Sequence, residues 1–185
     1  MLPIIKSDLY RYNPAPYSFK GLLRGFRSQG FTYLFWKRLK DNYGTGHIIG
    51  WIARWRLRHF TYKYGFQVGG KIGGGFYIGH FGTVIVSVNT VIGSNCNISP
   101  GVTIGASRRG EKKGAPMLGD FVWIGTNAVI VGAITIGSDV LIAPGAYVNF
   151  DVPDHSIVIG NPGRIIPRQH ATDGYINNSY TGNDL

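Results

Sequence analysis

From residue 66 onward, aliphatic side chains recur every six residues. Leu118, Ile124, Ile130, Ile136, Ile142 and Val148 keep that interval without a slip. Gly119, Gly125 and Gly137 directly follow three of them. Val122, Ala128, Ile134, Val140 and Ala146 stand four residues after the first five, and all are small or β-branched. Upstream, Ile72, Ile78 and Val84 form one run and Val86, Ile92, Ile98 and Ile104 another, with Phe76, Gly82, Thr90, Cys96 and Val102 among the four-residue partners. A period of six matches neither the 3.6 of a helix nor the 2 of a half-buried strand. It matches a short strand plus a tight turn, three to a coil, with each aliphatic residue pointing at a common axis. Successive coils would then stack at the inter-strand spacing of about 4.8 Å. The pattern predicts an all-β parallel β-helix over residues 66–166.

Two interruptions break the frame. It slips by two between Val84 and Val86, and the step from Ile104 to Leu118 is long. The second gap, residues 106–117, is polar and basic, so it is expected to loop out of the prism, and loops on rigid scaffolds commonly carry function. After Val148, the segments Asp151-Val-Pro-Asp-His155 and Gly160-Asn-Pro-Gly-Arg164 leave the coil. Residues 167–185 are polar and read as a loose tail.

The first 65 residues follow another rule. Residues 1–17, with Pro3, Pro14 and Pro16, read as irregular. Ser18 is placed to cap a helix through Arg27 with Gly30 as a stop. A second helix carries Phe31, Leu34, Phe35 and Leu39 and ends near Gly44. A third runs from about His47 to Tyr64, with Ile48, Ile52 and Trp55 at helical spacing and Gly65 as terminator. A short α-helical N-terminal region thus precedes the prism.

Charge sharpens this division. The 185-residue chain has a formal net charge of +10. Residues 1–65 hold twelve Lys/Arg against Asp8 and Asp41, whereas residues 66–185 hold seven of each sign. Fifteen of the 25 aromatic residues also lie in the first 65. The excess charge therefore belongs to the helical segment. That segment is expected to cap one end of the prism, where open strand edges need cover. Two further roles stay open for it: apposition to anionic lipid at the inner face of the membrane, or attraction of an anionic polysaccharide. Charge alone does not point to nucleic acid without a recognition motif. One Cys excludes a disulfide framework. No stretch reaches the 18 or so apolar residues of a membrane span, and the start lacks the order of a signal peptide, so a cytoplasmic protein is expected.

The hexads, the extruded loop, the Val-Pro-x-His turn and the terminal Gly-x-Pro-x-Arg resemble those of the hexapeptide-repeat acyltransferases, over about residues 60–166. The resemblance implies a left-handed prism, acetyl-CoA as co-substrate without a metal, and a homotrimer that binds CoA in the groove between neighbouring prisms. The order Ile72-Gly…Ile78-Gly-His80…Gly-Val-Thr-Ile-Gly105 is similar to the serine acetyltransferase branch, and closer still to capsular and exopolysaccharide O-acetyltransferases of the colanic acid type. The family's catalytic His falls on His80. Serine acetyltransferases carry a supporting Asp fifteen residues upstream, here Gly65, and a second His beside the Pro closing the loop, here Ala115. Their helical region is also about twice as long. The resemblance places CoA contacts at Gly105, Thr126 and Pro144, in successive turns along one edge, with Asn149 and Arg164 at the C-terminal end.

The chemistry suits these residues. Acetyl transfer to a hydroxyl needs a base, and an imidazole with a pKa near 6.5 fits that task. Backbone N–H groups at Gly-rich turns suit the tetrahedral oxyanion. Arg164 is suited to a CoA phosphate, or is a solvated charge closing the coil. Arg108, Arg109, Lys112 and Lys113 in the loop guide CoA phosphates, meet an acidic acceptor, or are simply solvated. Cys96 occupies an inward position, where a buried thiol is inert. His155 reads as structural, and His47, His59 and His170 carry no signal. The expected activity is acetyl-CoA-dependent O-acetylation of a capsular or exopolysaccharide sugar by His80, in direct transfer. Serine O-acetylation is the alternative within the class, and a non-catalytic β-helix binding module the alternative outside it. A prism metalloenzyme needs three His ligands per zinc, and the prism offers only His80 and His155.

Overall fold

The computed structural model describes residues 1–13 and 18–181. Four helices, α1 (Pro3–Tyr12), α2 (Phe19–Gly25), α3 (Gln29–Tyr43) and α4 (Ile48–Tyr64), precede fifteen short strands among the described residues. The strands form three sheets. One contains β1 (Phe66–Val68), β4 (Val84–Val86), β7 (Thr103–Gly105), β10 (Val129–Val131) and β13 (Tyr147–Val148). The second contains β2 (Lys71–Ile72), β5 (Val91–Ile92), β8 (Met117–Leu118) and β11 (Thr135–Ile136). The third contains β3 (Tyr77–Ile78), β6 (Asn97–Ile98), β9 (Val122–Ile124), β12 (Val140–Ile142), β14 (Ser156–Ile159) and β15 (Arg164–Pro167). Pairing is parallel throughout except between β14 and β15. The chain is a parallel β-helix of hexapeptide repeats with N-terminal helices.

The aliphatic columns follow the six-residue frame. Ile72, Ile92, Leu118 and Ile136 stack in register, as do Ile78, Ile98, Ile124 and Ile142, and Val86, Ile104, Ile130 and Val148. All are buried, and with Phe66, Phe76, Cys96 and the small four-residue partners they fill the prism.

The frame slip has a different location from the one the spacing suggested. Val84 and Val86 lie on one continuous strand, both inward. The extra residues sit in the turn before it: Ile78 reaches the start of the next strand after six residues, whereas Ile98, Ile124 and Ile142 reach the equivalent positions Val102, Ala128 and Ala146 after four. The widened turn is Gly79-His80-Phe81-Gly82-Thr83.

The helical region departs from expectation in three places. Residues 3–12 are helical, because Pro3 stands in the first turn, where its missing N–H would have no partner anyway. Pro14 and Pro16 lie outside the described residues. Ser18 does cap α2, accepting from the Gly21 N–H at 3.0 Å, but the helix ends at Gly25. Gly30 is no stop. It lies in the first turn of α3, where any Cβ would collide with the Ile78 carbonyl and the Tyr12 hydroxyl. The close approach of helix to prism requires its bare backbone. The third helix ends as expected, at Gly65 in the left-handed region.

The helices close the first coil with polar side chains. Arg38 donates to the carbonyls of Ile72 and Gly73, both at 2.6 Å, and Arg11 to that of Gly75 at 2.9 Å. Tyr33, Ser7, Asp8 and Tyr12 accept from the N–H groups of Val68, Gly75, Phe76 and Ile78. These bonds pair backbone groups that an end coil would otherwise leave open. Burial pushes the Asp8 carboxyl up, opposed by the Arg38 guanidinium at 2.8 Å and the Phe76 N–H.

The tail is not loose over its described part. Ala171 and Thr172 are buried, their N–H groups donating to Asp139 at 3.0 Å. Further on, Asn97 donates to the Tyr175 carbonyl, Arg11 to that of Asn177, and Asn95 exchanges two bonds with Tyr180. Tyr175 also packs its ring on Trp123, 4.8 Å between centroids. The tail is held mainly through its backbone, by the side chains of Arg11, Asn95, Asn97 and Asp139.

Candidate active site

The widened turn holds His80. Its neighbours below on the same prism edge are Ser99-Pro100-Gly101, Gly125-Thr126-Asn127 and Ala143-Pro144-Gly145. Turn-to-turn bonds run along the edge: Gly101 N–H to the Thr83 carbonyl at 2.6 Å, Asn127 N–H to that of Pro100 at 3.1 Å, and Gly145 N–H to that of Thr126 at 2.9 Å. Gly101, Asn127 and Gly145 all take left-handed backbone there, which Gly and Asn tolerate. The edge is therefore rigid, and His80, Thr126 and Pro144 are displayed along it, all exposed. Phe81, 68% exposed, projects beside His80 because the two extra residues bulge outward.

The helical region fixes this turn from behind. The Gly82 N–H donates to the Tyr64 carbonyl at 3.0 Å, and the Val84 N–H to that of Gly65 at 3.1 Å. Position 65 is thus brought next to the His80 turn, and a Cβ there would stand 3.2 Å from the Gly82 carbonyl. Among the described residues the His80 ring has no hydrogen-bond partner. Beside Gly65, a cleft of about 620 Å3 is lined by Arg54, Leu57, Arg58, Thr61, Tyr62 and Gln67.

Gly105 is not on this edge, contrary to the expected alignment with Thr126 and Pro144. It pairs in register with Val131, and the next residue of that column is Asn149, so Gly105 and Asn149 share the neighbouring edge. Even spacing along the chain does not reveal which of three corners a residue occupies once an insertion shifts the count. The extruded loop leaves from this second edge. It folds as a small hairpin, with Ser107 and Gly114 exchanging backbone bonds of 2.8 and 3.0 Å, and is pinned by the Ala133 N–H on the Lys112 carbonyl. Arg108, Arg109, Lys112 and Lys113 are all exposed on it. Arg164 opens β15 opposite Ile159, exposed at the C-terminal end of the prism. Pro144 also borders a second cleft, of about 790 Å3, between the third sheet and the tail.

Other titratable groups are committed elsewhere. Cys96 is fully buried, accepts from the Val122 N–H, and burial pushes its thiol up to about 12. His155 contacts Asp139 at 2.8 Å, and His47 caps α4 through Nδ1. Among the described residues no three His, Cys, Asp or Glu side chains gather as a metal site. Sequence reasoning missed the Asp8–Arg38–Arg11 cluster. Its signal was present: Asp8 and Asp41 stand alone among twelve bases, and both are ion-paired, Asp8 with Arg38 and Asp41 with Lys37 and Lys40.

The fold is the hexapeptide-repeat β-helix of acyltransferases. The model of bacterial transferase hexapeptide (six repeats) matches residues 115–149. A serine acetyltransferase of Bacillus pumilus is 39% identical over 95 residues, 51% of this chain and 44% of that protein. The serine acetyltransferase of Neisseria gonorrhoeae superimposes with a TM-score of 0.72 at 28% identity, covering 90% of this chain and 66% of that one. Its complex with serine gives 0.70 at 29%, covering 88% and 67%. The match spans less than half the length of the Bacillus relative. These likenesses overturn the expected polysaccharide acceptor: both the curated relatives and the solved structures carry serine acetyltransferase names. The polysaccharide expectation leaned on Gly65, Ala115 and a short helical region, yet 90% of the chain, helices included, follows the serine acetyltransferase fold.

Proposed function

We propose that this chain is an acetyl-CoA-dependent O-acetyltransferase whose acceptor is the hydroxyl of L-serine. The observation that carries the reading is the likeness to serine acetyltransferases, through the prism in sequence and through helices and prism in structure. His80 acts as general base. It takes the proton of the serine hydroxyl as the oxygen attacks the thioester carbonyl, and returns a proton as the tetrahedral intermediate expels the CoA thiolate. Transfer is direct, because the single thiol of the chain is buried and held protonated. Backbone N–H groups of the Gly-rich turns supply donors to the oxyanion.

The proposed CoA contacts fall on two edges of one prism, which is consistent with a site shared between copies. Thr126 and Pro144 accompany His80, whereas Gly105 and Asn149 lie one corner away. A homotrimer sets the His80 edge of one prism against the Gly105 edge of the next, with CoA between them and its phosphates near Arg164 and the basic loop. Residues 1–65 then serve as the cap, 66–166 as the catalytic prism and the described part of the polar tail, 167–181, as the strap.

Thiol release from acetyl-CoA tests the acceptor. Release that requires L-serine and equals the O-acetylserine formed supports the reading. Release indifferent to L-serine, or none, contradicts it.

A further inference from the structure

The outer face of α4 has no partner among the described residues. Ile48, Trp51, Ile52 and Trp55 follow the i, i+3, i+4, i+7 spacing that puts them on one stripe. They are between 41% and 65% exposed, an uncommon degree for such side chains in succession. His59 and Tyr62, also exposed, continue the stripe to a length of about 20 Å. The opposite face is the buried one: Gly50, Ala53 and Phe60 turn toward the body of the protein. The helix therefore buries Gly50, Ala53 and Phe60 and leaves its tryptophans outside.

Charge says what the stripe faces. Arg54 and Arg58 flank it on one side and Lys63 on the other, all exposed. None of the three is in an ion pair among the described residues. No Asp or Glu lies between Asp41 and Glu111 in the sequence. Exposed Trp flanked by Arg and Lys, with no acidic residue near in the chain, is the composition of a helix lying in a lipid–water interface. No described helix is long and apolar enough to cross a membrane. We propose that the outer face of α4 docks this protein on anionic phospholipid bilayers, with Trp51 and Trp55 at the headgroup boundary and Arg54, Arg58 and Lys63 on lipid phosphates. The proposal does not depend on the acceptor of the acetyl group.

The test uses the full chain with vesicles of pure phosphatidylcholine and of phosphatidylcholine with one third phosphatidylglycerol. Cosedimentation with the anionic vesicles only, weakened by added salt and accompanied by a blue shift of Trp emission, is the expected result. Trp51→Ser with Trp55→Ser, and separately Arg54→Glu with Arg58→Glu, should each lower binding at least about ten-fold. These side chains are exposed, and far-ultraviolet dichroism checks that the variants fold. Equal binding to neutral vesicles, no binding at all, or binding unchanged in the Trp variant overturns the proposal. So does light scattering in which the wild type forms a larger assembly that the Trp variant loses without any vesicle binding, which would make the face an interface between copies.

Discussion

The helical cap and the prism solve the same problem by opposite means. Both must leave no backbone group unpaired in a buried place. Inside the prism, each coil supplies the partners of the next, so the side chains are free to be apolar and repetitive. At the first coil no further strand is available, and the cap answers with Arg11, Arg38, Tyr12, Tyr33, Ser7 and Asp8. A repetitive structure can be stabilised by a repetitive sequence, but its end needs specific polar chemistry. That difference makes the two regions fail differently when altered.

The largest expected effect is at the cap. Arg38→Met leaves the buried Asp8 carboxylate without its ion pair and the Ile72 and Gly73 carbonyls without donors, and should cost about 3–5 kcal/mol in urea unfolding. A loss below 1 kcal/mol would mean the first coil is closed by other means. In the prism, Ile130→Ala removes only packing and should cost about 2–5 kcal/mol. This loss should be the same at pH 5 and pH 8, because its register partners, Ile104 and Val148, are apolar and buried.

The tail offers a smaller, pH-dependent contrast. Burial would raise the Asp139 carboxyl, but bonds from His155, from the Thr172 hydroxyl and N–H, and from the Ala171 N–H bring it below the ordinary value. Its folded pKa is thus below the unfolded value of about 3.9. The stabilisation is present above that pH and fades as pH falls through the lower folded value. Asp139→Asn should loosen the strap by roughly 1–2 kcal/mol, read as faster hydrogen exchange at the Ala171 and Thr172 amides with prism amides unchanged. The smallest effect is expected at Cys96, whose thiol should resist iodoacetamide in the native state and react only on unfolding.

The sequence made the prism legible because an aliphatic residue every six positions has few structural meanings. His80 was legible only through the resemblance to the acyltransferases; the six-residue frame disclosed a two-residue slip, which falls at residues 79–83 rather than between Val84 and Val86 and forms the bulge that carries His80 and Phe81. Corner assignment was not legible. The resemblance sets Gly105 with Thr126 and Pro144 along one edge, and only the register shows that Gly105 shares a column with Asn149. The strap was missed because Asn95, Asn97 and Asp139 show nothing in sequence of the distant backbone they hold. Pro3 misled as a breaker, and Gly30 as a stop, since both depend on what surrounds them. The acceptor was not legible, because Gly65, Ala115 and the short helical region depart from the serine acetyltransferase pattern while the likeness of fold over 90% of the chain shows only in the structure.

The proposed reaction depends on His80 as the base at the widened turn. The direct test is turnover of His80→Ala in the thiol-release reaction with acetyl-CoA and L-serine, alongside calorimetry of CoA binding. Loss of turnover by about 10²–10⁴-fold with CoA affinity unchanged is the predicted result. Turnover close to wild type would contradict it.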